Sequence, residues 1–466
     1  MTTDEGSGTD EGSATNEGSV TREGGAADGS ATLEDITATE GSAAQAKDRQ
    51  SNLLRDHDFR NLYYSTSLSQ LGQQVSLLAL PLVAVVSLQA GEFEAGLLAA
   101  MSTAAFLLVG LPAGVWVDRM RFRQVLVSSD VVRAAALLTV PLAWWLGVLS
   151  IWQLYAVAFV IGVFTVFFDV AYQSCLPHLI GRGRLVDGNA RLETVRSVAQ
   201  LAGPAAAGQL IAWLTAPFAL LLDAVAMGLS ALFVFRIRKP QARPEKKPGS
   251  KLATEMAEGL RFVLSNRLLR SIAASTALFN LAFSAYMAML VFFLPREAGL
   301  GPEQIGLVFS VLGIGGLLGA LAARRVTAWL GEGPAIWVSV AVTAPFALLW
   351  PAASGGWTLW AGAAGLGAVS FGIVIYNITQ VSFRQRLTPD RLLGRMNATM
   401  RFLVWGTQPV GAVLGGVLGQ VYGARTALWV AAGLACLAFL PVLLSPLRTM
   451  RELPDGEGIT APQEAS

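Results

Sequence analysis

The chain has 466 residues, of which 53% are hydrophobic and only 14% charged, and its mean hydropathy is +0.52. Soluble domains have about a quarter of their residues charged, so this composition excludes an ordinary soluble protein. The net charge of +2 does not indicate a nucleic-acid partner, and two cysteines and two histidines are too few for a disulfide framework or a metal cluster. We therefore expect no nucleic acid, no metal and no cofactor.

The first region, residues 1–54, is predicted to be a disordered acidic tail. It contains the consecutive units TDEGSG, TDEGSA, TNEGSV and TREGGA, and it has almost no side chains that could form a core. It also lacks the basic start and apolar stretch of a secretory signal peptide. The tail is either simply solvated or a docking segment for a partner.

Apolar runs of about twenty residues, long enough to cross a ~30 Å hydrocarbon core as helices, follow from Phe59 onward. We predict an all-α membrane protein with twelve transmembrane helices in two six-helix bundles. The predicted spans are 61–88, 93–117, 125–147, 151–176, 192–214, 217–235, 269–294, 302–323, 334–353, 357–382, 399–421 and 426–447.

The loops predict the domain boundaries and the orientation. A basic linker, residues 236–268, separates an N-terminal bundle at 55–235 from a C-terminal bundle at 269–450, and residues 451–466 form a second tail. Arginines crowd the loops on one side of the predicted bundle, which by the positive-inside rule is the cytoplasmic side. Both termini are therefore expected in the cytoplasm, and the protein in the bacterial cytoplasmic membrane.

The two halves repeat at a nearly constant offset. Gly114 and Gly319, Arg119 and Arg324, Arg196 and Arg401, and Pro204 and Pro409 are each 205 residues apart, and Tyr172-Gln173 corresponds to Tyr376-Asn377. A duplicated six-helix unit explains these pairs. Such a duplication is typical of secondary transporters, whose substrate site lies between the repeats.

Several stretches resemble the major facilitator superfamily. GVWVDRMRFRQ at 114–124 is similar to its signature loop. FRNLYYSTSLSQLGQQVSLLALPL at 59–82, DVVRA at 130–134 and DVAYQSCLPHLIGRGRLVDGNARL at 169–192 resemble its enterobactin-exporter and macrolide-efflux branch. The resemblance covers about residues 55–450 and implies a transporter of a small molecule.

The resemblance also implies a cytoplasmic gate, in which Asp118 meets the N-terminus of a helix in the second half. The chain departs from the family pattern at Arg121, Phe122 and Ala323, so the gate would be held from the first half only. The alternative to the gate is a solvated basic loop. For Asp130 and Arg133, which share a helix face, the alternative is a plain surface ion pair. The predicted gate residues are Gly114, Asp118, Arg119, Arg123, Asp130 and Arg133.

GPAAAG, with Gly203, Pro204 and Gly208, resembles the antiporter signature and favours export over import. Small residues here admit a neighbouring helix closely, and ordinary helix packing is the alternative explanation. Asp169 and Asp223 lie well inside predicted spans, where an acid is costly, so they are the candidate proton carriers. Asp169 could instead simply pair with an arginine such as Arg196.

Uncharged polar residues on the first, fourth, seventh and tenth spans are the candidate substrate ligands. Amides and phenols set among apolar side chains suit a mid-sized, partly apolar molecule. Interhelical hydrogen bonding is the alternative role for each of them. The candidates are Gln70, Gln73, Gln74, Tyr172, Gln173, Thr276, Asn280, Ser284, Tyr376 and Asn377.

No ATP-binding loop, nucleophile motif or dinucleotide fingerprint occurs in the sequence, so it predicts no enzyme. We predict a monomeric secondary transporter that exports a small amphipathic compound (a drug, siderophore or secondary metabolite) by proton antiport. The alternatives are an importer of the same fold and a membrane sensor or scaffold that acts through the acidic tail.

Overall fold

The computed structural model describes residues 53–117, 120–181, 184–239 and 252–451. These ranges leave out the linker stretch 240–251. They also leave out the two predicted tails, except for residues 53–54 and 451. The described residues form helices and no strand. The first half comprises α1 His57–Leu82, α2 Glu92–Val117, α3 Phe122–Trp145, α4 Ile151–Ile180, α5 Leu185–Leu214 and α6 Ala216–Phe235.

The second half contains ten helices in the described ranges, because several crossings are interrupted. A 3-10 turn at Ala344–Leu348 separates α10 from α11, and Gly406 separates α13 from α14. The helices are α7 Leu252–Ser265, α8 Arg267–Arg296, α9 Pro302–Leu330, α10 Glu332–Thr343, α11 Leu349–Ala352, α12 Trp357–Leu387, α13 Asp390–Trp405, α14 Thr407–Tyr422, α15 Ala424–Cys436 and α16 Leu440–Leu443.

Eleven helical segments of the described chain are long and apolar enough to cross a membrane. The remaining predicted span is the fifth, at 192–214, and it lies on α5, which is 30 residues long but is not among the eleven. Its polar residues, such as Glu193, Arg196 and Gln200, lower its hydropathy. The all-helical membrane fold is confirmed, whereas hydropathy supports eleven of the twelve predicted crossings.

Exposed tryptophans mark the ends of several helices. Trp145, Trp152, Trp213, Trp329 and Trp357 are between 73% and 82% exposed, although tryptophan is a large and partly apolar side chain. Each of them lies in the first or last turn of its helix. This is the placement expected of tryptophans at the boundary between lipid and water.

The two halves meet at the helix ends opposite the arginine-rich loops. Gly208 on α5 packs against Gly306 on α9, where an added Cβ would lie 3.0 Å from the Gly306 Cα. The N–H of Ala205 donates to Ser310 Oγ at 3.0 Å, and Arg296 donates to the Val85 carbonyl at 2.8 Å. Small residues therefore bring helices of the two halves into backbone contact.

A second close approach joins the equivalent helices of the repeat, α2 and α14. A Cβ on Gly96 would fall 2.7 Å from both the Gly416 Cα and the carbonyl oxygen of Ala412. Gly96 lies near the start of α2, so this contact is at the same end of the molecule as the α5–α9 contact. Together the two contacts close that end between the halves.

The described parts of the linker are attached to both halves. Asp58 accepts the backbone N–H groups of Arg238 at 2.9 Å and Lys239 at 3.0 Å, which fixes the end of the first half to α1. On the other side of the gap, Glu258 on α7 forms an ion pair with Arg395 on α13. The predicted linker thus contains an ordered helix, α7, that packs on the second half.

Candidate functional site: a cavity between the two halves

A cavity of about 1110 Å³ lies between the halves, on the arginine-rich side of the glycine contacts. Helices α1 to α5 form its first wall, and α9, α12 and α13 form its second wall. Phe106 on α2 and Trp405 on α13 pack edge to face, with ring centroids 4.7 Å apart, so the two walls touch at the cavity. A compartment of this size can enclose a drug-sized molecule.

One face of α5 supplies a polar stripe to the first wall. Residues three, four and seven positions apart share a helix face, and the lining residues of α5 follow this spacing. They are Asn189, Leu192, Glu193, Arg196, Ser197, Gln200 and Pro204. The prediction of cavity residues did not include Glu193 and Gln200, although their helical spacing from Arg196 was visible in the sequence.

The second wall is much less polar. Its lining includes one charged side chain, Arg401, among the described residues, and one hydroxyl, that of Ser370. The remaining side chains of this wall are apolar, aromatic or absent. They belong to Phe309, Leu312, Gly313, Gly316, Leu317, Ala320, Val374, Ala398, Phe402, Trp405 and Gly406.

A buried ion pair supports the first wall. Asp130 and Arg133 on α3 form a salt bridge, and their side chains are 0% and 5% exposed. Ser230 on α6 donates to Asp130 at 2.6 Å and lies 2.7 Å from the hydroxyl of Ser65 on α1. The Arg133 guanidinium also lies 4.7 Å from the centroid of the Phe168 ring. This network holds three helices of the first half together beside the cavity.

The two intramembrane acids occupy different environments. Asp169 lines the cavity, where Arg133, Arg196 and Arg401 attract its charge. Asp223 is not among the lining residues and is completely buried between α6 and α1.

The room for Asp223 comes from Gly72, where a Cβ would overlap the carboxylate. One oxygen of Asp223 accepts a hydrogen bond from Ser76, and its other oxygen has no partner among the described residues. Asp223 is therefore a buried acid with an unused acceptor, separate from the cavity lining.

The predicted substrate ligands divide between the halves. In the first half, four of them line the cavity: Gln70, Gln73, Gln74 and Tyr172. Gln173 belongs to α4, but its side chain lies outside the described part of the structure. In the second half, Thr276, Asn280, Ser284, Tyr376 and Asn377 are not among the lining residues.

Four of these second-half residues join helices instead. Thr276 on α8 hydrogen-bonds the Tyr376 hydroxyl on α12. Asn280 accepts from the Gln408 side chain at 3.0 Å, and Ser284 donates to the Gln408 carbonyl at 2.7 Å, which ties α8 to α14. These contacts are the interhelical hydrogen bonds that the sequence left open as the alternative role.

The predicted gate is described only in part. Asp118 and Arg119 lie outside the described residues, and Gly114 lies in α2 without a description of its surroundings. Arg123 donates to the Phe235 carbonyl, and its guanidinium lies 4.9 Å from the Phe235 ring centroid. Both Arg123 and Phe235 belong to the first half, so this contact joins α3 to α6.

Two protein relatives extend over almost the same length as this chain. Multidrug efflux pump Tap of Mycobacterium tuberculosis is 27% identical over 424 residues, covering 85% of this chain and 95% of Tap. Enterobactin exporter EntS of Citrobacter koseri is 23% identical over 423 residues, covering 87% of this chain and 97% of EntS.

Solved transporter structures share the fold. The inward-facing bacterial homologue of the iron transporter ferroportin superposes with a TM-score of 0.67 at 17% identity, covering 84% of this chain and 98% of that one. The nucleoside transporter NupG gives a TM-score of 0.64 at 13% identity, covering 83% and 98%. The sequence model of the Major Facilitator Superfamily matches residues 62–407. With this match over most of its length and two helical halves around a shared cavity, the chain belongs to the major facilitator superfamily of membrane transporters.

Proposed function

We propose that this protein exports a small amphipathic organic compound in exchange for protons. The observation that carries the proposal is the cavity between the halves, which has a polar, charged wall in the first half and a largely apolar wall in the second. Its volume of about 1110 Å³ suits a drug-sized molecule. The four lining residues predicted from the sequence, Gln70, Gln73, Gln74 and Tyr172, would contribute polar contacts.

The names of relatives support export. Two of them are a multidrug efflux pump and an enterobactin exporter. The arginine-rich loops favour a cytoplasmic location for that end of the molecule and for both termini. In this orientation the glycine contacts close the outer end and the cavity communicates with the cytoplasm. A compound would enter from inside a bacterial cell and leave when the halves rock about the site.

Asp169 is the first candidate for the proton carrier, because it lines the cavity and shares it with the substrate. The charged groups that act on Asp169 are Arg133, Arg196 and Arg401. Binding of a proton and binding of a substrate would both alter the net charge around the carrier acid. Each can therefore oppose binding of the other, and antiport requires this opposition. Asp223 is the second candidate, as a buried acid whose second oxygen lacks a partner in the described structure.

Substitution of the two acids tests the proton coupling. In proteoliposomes, Asp169→Asn is expected to abolish uptake driven by a pH gradient while exchange of substrate for substrate continues, because the amide cannot release a proton. Asp223→Asn is expected to have the same effect if Asp223 is the carrier. The matched control is Glu94→Gln, since Glu94 accepts the Gly91 N–H at the start of α2 and does not line the cavity. Full pH-driven transport in both aspartate variants and in the double variant would exclude these residues.

The direction of transport is tested in the native host by mass spectrometry of cells and medium, with and without the gene. Export predicts that a compound accumulates inside the deletion strain and returns to the medium on complementation. A compound that instead remains unconsumed in the medium would make the protein an importer. Removal of residues 1–50 is expected to leave export intact, whereas loss of function would favour the scaffold alternative.

A further inference from the structure

The two walls of the cavity present the same helix positions with different chemistry. At the 205-residue offset of the repeat, the four lining residues of α13 in the described structure correspond to four of the seven lining residues of α5. Arg196 corresponds to Arg401, so both halves have an arginine at this position of the repeat. At the other three positions the first half is polar and the second is apolar. The pairs are Glu193 with Ala398, Ser197 with Phe402, and Gln200 with Trp405.

The two paired arginines have unused hydrogen-bond donors. In the part of the chain that the structure describes, neither guanidinium forms an ion pair or a hydrogen bond. Arg401 lies over the Trp405 ring, with its guanidinium carbon 5.5 Å from the ring centroid. Arg133 differs, because it is already bound to Asp130. Arg196 and Arg401 therefore have donors free for a ligand in the described structure, although the charge of Asp169 acts on both from beyond ion-pair distance.

The distribution of charged side chains between the two walls decides which charge a ligand must have to form ion pairs with both walls. The lining carboxylates, Asp169 and Glu193, both belong to the first half, so a cationic group would contact acids on one wall only. An anionic group between Arg196 and Arg401 would contact both walls. It would also sit beside the aromatic rings of Trp405 and Phe106. Guanidinium groups bind carboxylates and similar anions through paired N–H donors.

We propose that the cavity selects compounds in which an acidic group is joined to a planar apolar body, with the acidic group held between Arg196 and Arg401. The apolar body would lie against the second wall, on Phe402 and Trp405. This proposal rests on the proposed function, because it takes the cavity as the substrate site. It assigns the exchanged proton to Asp223 and not to Asp169, because an anion bound to Arg196 and Arg401 would compete with the Asp169 carboxylate, so that protonated Asp169 and the anion would bind together. It adds the charge of the substrate and the orientation in which the substrate binds.

The test measures binding of three naphthalene probes that differ in charge: 2-naphthoate, 2-naphthylmethanol and 2-naphthylmethylammonium. Isothermal titration of the full-length protein in lipid nanodiscs, at one pH and without a gradient, is expected to give at least about tenfold tighter binding of naphthoate than of the alcohol. Arg196→Gln and Arg401→Gln should each remove most of this preference, because each should weaken binding of naphthoate much more than binding of the alcohol. The control is Arg325→Gln, an exposed arginine on α9 that does not line the cavity.

Three results would overturn the proposal: no binding of naphthoate, an unchanged preference in both arginine variants, or tightest binding of the ammonium probe. Arg401→Lys keeps the charge and should keep part of the preference, which separates loss of charge from loss of structure. Because the measurement needs no gradient, its outcome is independent of transport. The protein could show an arginine-dependent preference for naphthoate and yet transport no compound. That result would contradict the proposed function but would support the proposed ligand class.

Discussion

Replacement of Asp130 by alanine is expected to destabilise the protein by about 3–5 kcal/mol, because it leaves the buried guanidinium of Arg133 without its counter-ion. The Asp130 side chain is fully buried and that of Arg133 is 5% exposed, so water cannot readily replace the lost partner. The same change removes the acceptor of the Ser230 hydroxyl, which donates at 2.6 Å. The measurement is the midpoint of thermal unfolding of the purified protein in detergent.

Two further variants separate charge from packing. Asp130→Asn keeps an acceptor for Ser230 and should fall between wild type and Asp130→Ala. The double variant Asp130→Ala with Arg133→Met removes both charges and should recover much of the lost stability, because no uncompensated charge remains. A midpoint of Asp130→Ala equal to that of the wild type would show that the pair does not hold the first half together.

Substitution of Gly208 by leucine is expected to reduce transport to background. A Cβ at this position would lie 3.0 Å from the Gly306 Cα and 3.2 Å from the Glu303 Cα, which are backbone atoms that cannot rotate away. The α5 and α9 helices would then have to separate, and the halves could not close at this end. A transporter that alternates between two closures should lose its cycle when one of them is blocked.

The control for this variant is Gly228→Leu, because a Cβ on Gly228, in α6, meets no atom within 4 Å. Closure itself can be followed with Ala205→Cys and Ser310→Cys, which replace two residues in direct contact across the halves. In a background without Cys175 and Cys436, crosslinking of this pair should be efficient with Gly208 and weak with leucine. Equal crosslinking in both proteins would mean that the close approach tolerates a side chain.

The sequence predicted the helical architecture well, because long apolar runs in a membrane protein have few alternatives to helices. The prediction was less accurate where a helix faces the cavity. The fifth span was placed at 192–214, but α5 begins at Leu185. Its first turns carry Asn189 and Glu193, which face the cavity rather than lipid. Hydropathy measures preference for lipid, so it underestimates a helix whose polar face is covered by the partner half.

The candidate site was predictable in part for a similar reason. Spacing places Thr276, Asn280 and Ser284 on one face of α8, but spacing does not state what that face contacts. In the structure it contacts α12 and α14 through hydrogen bonds. The repeat offset was more informative, because Arg196 and Arg401 correspond in sequence and both line the cavity. The predicted contact of Asp118 with a second-half helix stays a prediction, since Asp118 lies outside the described residues.

The attachment of the linker at both ends sets a limit on the amplitude of the transport cycle. Asp58 holds the chain at Lys239, and α7 is anchored to α13 through Glu258 and Arg395. The covalent tether between the halves is therefore the stretch from residue 239 to residue 252, much shorter than the predicted linker. A fully extended chain of this length reaches about 45 Å at most. While both anchors hold, the arginine-rich ends of the two halves cannot move apart beyond that distance.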